Sequence, residues 1–376
     1  MFDLYKKILN FSPKLFSGNA NKSVIGIDIG SSSIKVVEVR KKGGKAILET
    51  YGVVSLGPYA NTDIGRVTNL SVEKIVQALK EVLKQSGVAT NFASLSIPMQ
   101  SSLVFNMELS SEIAESELAS VVSIEARKYV PMPINEVSLD YFILPKRELS
   151  FEEVNTLDGS RESSKKTEVL VVAIHNDAIS KYRSIVSECQ LETNFFEVEI
   201  FSSVRANFEH ELSLVLLVDI GASLTRVSLI DLGVVKDYHT INRGGAEFSD
   251  SISRSLGITF DQAEKIKKEY GLFENPNYKD LTSIIKVHLD YIFSKMNDTI
   301  LGYEKKYNKS VTKIIFSGGG SLLKGLQEIA ATNFQAEIEI GHPFTKVYTP
   351  VFLEKVFKSI DPEFAVALGL ALRQLK

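Results

Sequence analysis

Tryptophan is absent from the chain, and among its 376 residues cysteine occurs once, at Cys189. One thiol excludes an internal disulfide and any cysteine-built zinc cluster, and it fits a reducing compartment. Also missing is any apolar run near the roughly 18 residues that a membrane-spanning helix needs. The longest, around Leu214 to Val218, has the length of a strand. A secretory signal's continuous apolar core is lacking too, because Asp3, Lys6, Lys7 and Asn10 interrupt the N-terminus. Nor is there a surplus of one charge: the formal net charge is −3 with acidic and basic residues interspersed, which leaves no field to gather nucleic acid. These absences point to a cytoplasmic protein without nucleic acid as a partner.

What is present is ordinary globular material, 44% hydrophobic, enough for two or more packed units. In residues 1–21, Leu4, Ile8, Phe11 and Leu15 recur at helical spacing opposite Asp3, Lys7, Asn10 and Lys14. That spacing predicts a short amphipathic segment, packed on the domain or lying against a membrane or partner. Strands follow over 24–39, with a turn near Ser31, and over 45–56; a helix over 71–86 stops at Gly87, and a strand over 93–97 closes at Pro98. Residues 99–174 change character. A helix from about 111 to 129 ends in Pro131-Met132-Pro133, strands cover 137–144 and 168–174, and the polar stretch 148–167 reads as a mobile hairpin loop. This is a small α+β module. Afterwards the opening theme returns: helix 177–189, strand 194–198, helix 201–208 and strand 214–218. Cys189 shares a face with Ile185 and Val186, which predicts packing rather than reactivity. Further helices are expected at 260–270 and 281–303, with a last one opened by Asp361-Pro362.

The chemistry lies in a repeated loop. Val24-Ile25-Gly26-Ile27-Asp28-Ile29-Gly30-Ser31-Ser32-Ser33 matches Val215-Leu216-Leu217-Val218-Asp219-Ile220-Gly221-Ala222-Ser223, with Lys35 opposite Arg226. In each copy an apolar strand ends in aspartate, glycine permits a tight turn, and small residues leave backbone N–H groups free to face an anion. Two such hairpins facing each other would clamp a polyphosphate. Lys35 would neutralise phosphate oxygens, while Asp28 and Asp219 would hold a hydrated magnesium ion bridging them. A third element, Ser317-Gly318-Gly319-Gly320-Ser321, places glycines between a strand and a helix, where a ring or phosphate can approach the backbone.

These three motifs resemble the phosphate-one, phosphate-two and adenosine motifs of the actin, DnaK-type chaperone and sugar kinase superfamily, in that order. The resemblance implies an α/β actin-like (ribonuclease-H-like) duplicated fold binding ATP and magnesium. Its first half would comprise residues 22–98, 175–208 and 357–376, and its second half 209–356. Glu199 is similar to the connecting-helix residue near the attacking water; Glu199 and Asp219 are then the candidate catalytic residues. Gly244-Gly245 looks like the glycine pair before a helix of the second half, and Glu264 with Lys267 matches the Glu-x-x-Lys pair used around adenosine. In the inserted module, 99–174, Tyr129-Val130-Pro131 followed by Leu139-Asp140-Tyr141 resembles the pattern of the PilM family of type IV pilus assembly. That likeness implies an ATP-binding adaptor, with at most slow ATPase activity, that holds the cytoplasmic tail of an inner-membrane PilN-like protein beside the module. It would associate with other pilus components at the inner face of the membrane, self-association being open. An FtsA-like division filament and a small-molecule kinase of the same superfamily are the alternatives. Ser223, where actin and the chaperones have glycine, is the departure that bears on hydrolysis.

Overall fold

The computed structural model describes residues 23–144, 166–209 and 213–375. The expected amphipathic segment 1–21 and most of the polar stretch 148–167 lie outside the described residues. Among the described residues, one compact unit lies within 97–183; the other lies within 23–96 and 184–375.

The larger unit opens with β1 (Ser23–Ile29), β2 (Ser33–Lys42) and β3 (Lys45–Ser55), an antiparallel meander rich in β-branched residues. Helix α1 (Val72–Gln85) turns Ile75, Val76, Leu79 and Val82 inward, the spacing of an amphipathic helix, and β4 (Phe92–Ile97) returns parallel to β1. In the smaller unit, β5 (Ser102–Ser110), α2 (Glu115–Ala126), β6 (Val137–Ile143) and β7 (Lys166–His175) form a three-stranded antiparallel sheet with β7 in the middle. Its core sets Leu118, Val122 and Ala126 of the helix against Met107, Val169 and Val171 of the sheet. Helix α2 is shorter than expected at both ends. After Ala126 the chain tightens into three-residue turns, Arg127 N–H donating to Ile124 O at 3.3 Å and Lys128 N–H to Glu125 O at 3.0 Å, ahead of the Pro131 that has no N–H to continue a helix.

Helix α3 (Asn176–Glu188) leads to β8 (Glu192–Val198) and α4 (Glu199–Asn207). Then come β9 (Val215–Ile220), β10 (Thr225–Asp231) and β11 (Val234–Ile241), a second antiparallel meander. Helices α5 (Gly245–Leu256), α6 (Phe260–Tyr270) and α7 (Leu281–Tyr307) cover it, α6 starting in a capping box between Thr259 and Gln262. Finally β12 (Lys313–Ser317), α8 (Leu326–Asn333), β13 (Glu337–Ile340) and α9 (Ala365–Gln374) complete the chain.

The duplication seen in the loops extends to the sheets. Their orders are β3-β2-β1-β4-β8 and β11-β10-β9-β12-β13, so each is a meander followed by a strand parallel to its first member. Each sheet buries its own apolar core: Val24, Val37 and Val39 pack with Phe364 and Leu368, while Leu216, Val218 and Phe316 pack with Ile252 and Leu289. Cys189 is half-buried, and burial pushes its thiol up to about 11, which keeps it protonated and unreactive at neutral pH.

Two helices carry the connections between these sheets. A Cβ on Gly369 of α9 would sit 2.0 Å from Ser202 O of α4, so the helices meet backbone to backbone. Beneath them Glu197 is 5% exposed, paired with Arg205 (Nη2 to Oε1, 2.7 Å) and with Arg373 (Nη1 to Oε1, 2.6 Å). Ser202 Oγ adds a further hydrogen bond to this carboxylate. The first helical residue after this cluster is Glu199, two positions earlier than periodicity alone had suggested.

Candidate functional site

The two phosphate-type loops are built alike. In the first, Asp28 is paired across the meander with Lys35, and Gly30 N–H donates to Ser33 O at 3.0 Å to close the turn. The carbonyls of the loop point away from the cavity: Ser31 O accepts from Thr68 N–H at 2.8 Å and Ser32 O from Leu56 N–H at 2.8 Å. With those carbonyls held, the N–H groups of Ser31 and Ser32 have no backbone acceptor among the described residues. In the second, Asp219 is paired with Arg226, and Gly221 N–H donates to Leu224 O at 2.9 Å. Its carbonyls are held by the start of α5, Gly245 N–H donating to Gly221 O at 2.9 Å and Ala246 N–H to Ala222 O at 3.0 Å. The N–H groups of Ala222 and Ser223 are left in the same condition. Gly244 is required by this bracing, because a Cβ there would lie 2.4 Å from Ala222 O.

The loops meet each other, Ser31 Oγ lying 3.1 Å from Ser223 Oγ. Between them is a cavity of about 60 Å³ lined on its floor by Asp28, Lys35, Glu199, Asp219 and Arg226. That volume holds a few water molecules. Asp28 Oδ1 accepts from Ser96 Oγ at 2.9 Å. Glu199, at the N-terminus of α4, pairs with Arg226 (Nε to Oε1, 2.8 Å), and the same guanidinium stands 3.7 Å from Asp219 Oδ2. Burial pushes the Asp219 carboxyl up; Arg226 pulls it back and Asp28 adds to the rise. For Arg226 burial works against the charge, but Glu199, Asp219 and Asp28 outweigh it and hold the guanidinium protonated.

The donor set does not fit a directly bound divalent ion. Among the described residues no three acidic, histidine or cysteine side chains converge on one point, and Asp219 faces a guanidinium. The expected role of Asp28 and Asp219, holding magnesium through water, needs no such cluster, and both carboxylates line the cavity.

The glycine loop divides its work. Gly318 has φ +77°, and a Cβ there would lie 2.2 Å from Asp219 Oδ1; one on Gly320 would lie 2.2 Å from Ile220 Cγ2. Both glycines let this loop press on the end of β9. Only Gly319 has open space on the cavity side, its nearest neighbour being Glu363 Cβ at 3.9 Å. Ser321 turns its hydroxyl back to Gly318 O at 2.7 Å and faces a second cavity, beyond the loop.

Glu264 and Lys267 of α6 form a buried pair, Nζ to Oε2 2.7 Å, with Lys267 Nζ also donating to Gly245 O at 2.7 Å. Burial raises Glu264, but Lys267, Ser249 and Lys268 outweigh it and hold the carboxyl low, while burial depresses Lys267. The pair thus braces Gly245, which braces the second loop.

Of the sequence-predicted residues, Asp28, Gly30, Ser31, Ser32, Lys35, Glu199, Asp219, Gly221, Ala222, Ser223, Gly318 and Gly319 line the small cavity. Gly244, Gly245, Glu264, Lys267, Gly320 and Ser321 do not, and support it from behind or border other space. Sequence reasoning did not nominate Arg226 or Glu363, which also line it. The position of Arg226 opposite Lys35 in the repeat was the available signal.

The family described as type IV pilus assembly protein PilM matches residues 26–375. A solved PilM-PilN type IV pilus biogenesis complex contains a chain 23% identical, with a TM-score of 0.77 over 94% of this chain and 98% of that one. The ethanolamine utilization protein EutJ from Carboxydothermus hydrogenoformans is 16% identical, with a TM-score of 0.53 over 94% and 90%. Cell division protein FtsA of Staphylococcus epidermidis strain RP62A is 23% identical over 355 residues, 85% of this chain and 74% of FtsA. The fold is the actin-like duplicated α/β fold expected from the repeated loops.

Proposed function

Since the chain belongs to the family of type IV pilus assembly protein PilM, we propose that it is an ATP-binding adaptor of pilus assembly, holding the cytoplasmic tail of an inner-membrane PilN-like protein according to its nucleotide state. The observation that carries this reading is the symmetry of the two loops: each directs its carbonyls outward and leaves two N–H groups for an anion, and their serines meet at 3.1 Å. Entry of a triphosphate parts the loops, so the two duplicated halves take up a different relation when nucleotide is bound. Hydrolysis is at most slow, because Glu199, the residue placed to orient water, is engaged by Arg226 at 2.8 Å.

The tail is expected on the module 99–174. Ile124, Tyr129 and Ile143 are 58%, 47% and 42% exposed there, apolar surface suited to a peptide. No described helix is long and apolar enough to cross a membrane; in this reading attachment to the inner membrane runs through the partner. Calorimetric titration of the full chain with a PilN-like tail peptide, with and without ATP, tests the reading. An affinity for the tail that ATP leaves unchanged would sink the switch. Ile124→Glu is expected to weaken the peptide at least tenfold, about 1.4 kcal/mol, while sparing ATP.

Lys35→Met removes a cavity cation facing the phosphates. It is expected to weaken ATP binding at least tenfold, about 1.4 kcal/mol, by isothermal titration. An unchanged dissociation constant would place the nucleotide elsewhere. The FtsA relatives favour a division filament as the second reading; polymers sedimenting only with ATP would support it over the adaptor.

A further inference from the structure

Each phosphate loop is supported from behind, and the two supports meet. The first loop is held by the segment between β3 and α1. Leu56 N–H donates to Ser32 O, and Thr68 donates to Ser31 O through its N–H, at 2.8 Å, and its hydroxyl, at 3.0 Å. That segment is folded on itself, Thr62 N–H donating to Gly57 O at 3.0 Å and Arg66 N–H to Asp63 O at 3.3 Å. The second loop is held by Gly245 and Ala246 in the first turn of α5. Arg66 joins these supports. Its Nη1 lies 3.2 Å from Asp250 Oδ1, one turn further along α5, while its Nε lies 3.1 Å from Asp63 Oδ2 of its own segment. The guanidinium covers the ring of Phe260 at the start of α6, 4.1 Å from the centroid. Beside it Gly65 abuts the Glu264 carboxyl of the same helix, where a Cβ would fall 3.3 Å from Cδ. None of Arg66, Asp250 and Phe260 lines the phosphate cavity, so a bound phosphate chain has no need to displace this clasp.

We propose that Arg66 is a positioning residue of the nucleotide site: it clasps the support of one phosphate loop to the support of the other and so sets how long bound ATP is held. The proposal rests on the nucleotide reading above. A polyphosphate gripped from two sides leaves faster the more freely those sides separate, and the Arg66 clasp opposes that separation. An ion pair whose side chains are each 35% exposed is weak by itself. The aromatic face beneath the guanidinium, on a residue 2% exposed, strengthens it. Together they are expected to slow release by about three- to tenfold.

The test is stopped-flow release of a fluorescent ATP from the full chain, chased by excess unlabelled ATP, in the unaltered protein, Arg66→Ala, Asp250→Ala and the double variant. Arg66→Ala should release the label at least about threefold faster, with its urea unfolding midpoint unchanged. Asp250→Ala should release it faster by a smaller factor, and the double variant no faster than Arg66→Ala, because the second substitution has no pair left to break. Arg66→Lys, which keeps the charge but not the flat stacking group, should fall between Arg66→Ala and the unaltered protein. A release rate that Arg66→Ala leaves unchanged, or effects of the two single variants that simply multiply, overturns the proposal while leaving the nucleotide reading intact. Faster release that comes with a lowered urea midpoint marks Arg66 as merely structural and overturns it too. No binding of the label by the unaltered protein overturns the nucleotide reading and the proposal with it. If Arg66→Ala fails to fold, Asp250→Ala and Arg66→Lys decide the matter by the same two measurements.

Discussion

Replacing Glu197 by glutamine is expected to destabilise the larger unit by about 3–5 kcal/mol, the range seen when one partner of a buried ion pair is removed. The carboxylate is 5% exposed and serves two arginines: Arg205 grips it with both terminal nitrogens, at 2.7 and 2.8 Å, and Arg373 adds a contact at 2.6 Å. Glutamine keeps the shape but leaves two guanidinium groups, 6% and 14% exposed, without a countercharge. The same cluster sets a pH dependence. Burial would raise Glu197, but Arg205, then Arg373 and Ser202, overcome it and lower its pKa from 4.5 to about 2. With the native value below the unfolded one, the stabilisation is complete above about pH 4.5 and is lost as pH falls from there toward 2. It amounts to about 3 kcal/mol. Urea unfolding of the unaltered protein and Glu197→Gln should therefore show a wide gap at pH 7 that shrinks markedly by pH 3. A gap under 1 kcal/mol at pH 7, or one independent of pH, would show that the cluster is not held as described.

Which features could be read in advance follows from the range of the interactions behind them. The Asp28 and Asp219 loops were legible because a strand ending in Asp-x-Gly is a local signal, and its recurrence half a chain later exposed the duplication that the two sheet orders repeat. Amphipathic helices such as α1 and α7 were legible from periodicity for the same reason. Glu197 was not, since its partner Arg373 is 176 residues away and nothing near either residue announces the other. The glycines were legible only as a group. All three of Gly318, Gly319 and Gly320 were assigned to a ligand, whereas Gly318 and Gly320 are set by pressure against Asp219 and Ile220, and only Gly319 opens toward the cavity. Residue type fixed the freedom of that backbone; packing from β9 decided its use. Arg226 shows the converse: its alignment with Lys35 placed it in the repeat but gave it no role, because its neighbours Glu199 and Asp219 are set by the fold.

Gly26→Ala is expected to cost about 3 kcal/mol or more, an overpacking penalty at the upper end because the obstacle is backbone. Gly26 lies in the middle of β1, where glycine is otherwise unfavourable, and its φ is not in the left-handed region, so conformational freedom does not explain it. Close approach does. A Cβ there would fall 1.7 Å from Ala367 O and 2.9 Å from Ala371 N, so α9 lies directly on the strand. A side-chain atom could rotate away, but a helix carbonyl moves only with its helix. Displacing α9 drags Gly369 off Ser202 of α4 and Arg373 off Glu197, and it shifts Ala365 and Val366, which line the cavity. Stability and nucleotide affinity should therefore fall together, whereas Lys35→Met should lower affinity alone. Denaturant unfolding and ATP titration of both variants separate the two effects. If Gly26→Ala unfolds within 1 kcal/mol of the unaltered protein, α9 is not seated on β1 in this way, and the link from the connecting helices to the phosphate loops fails with it.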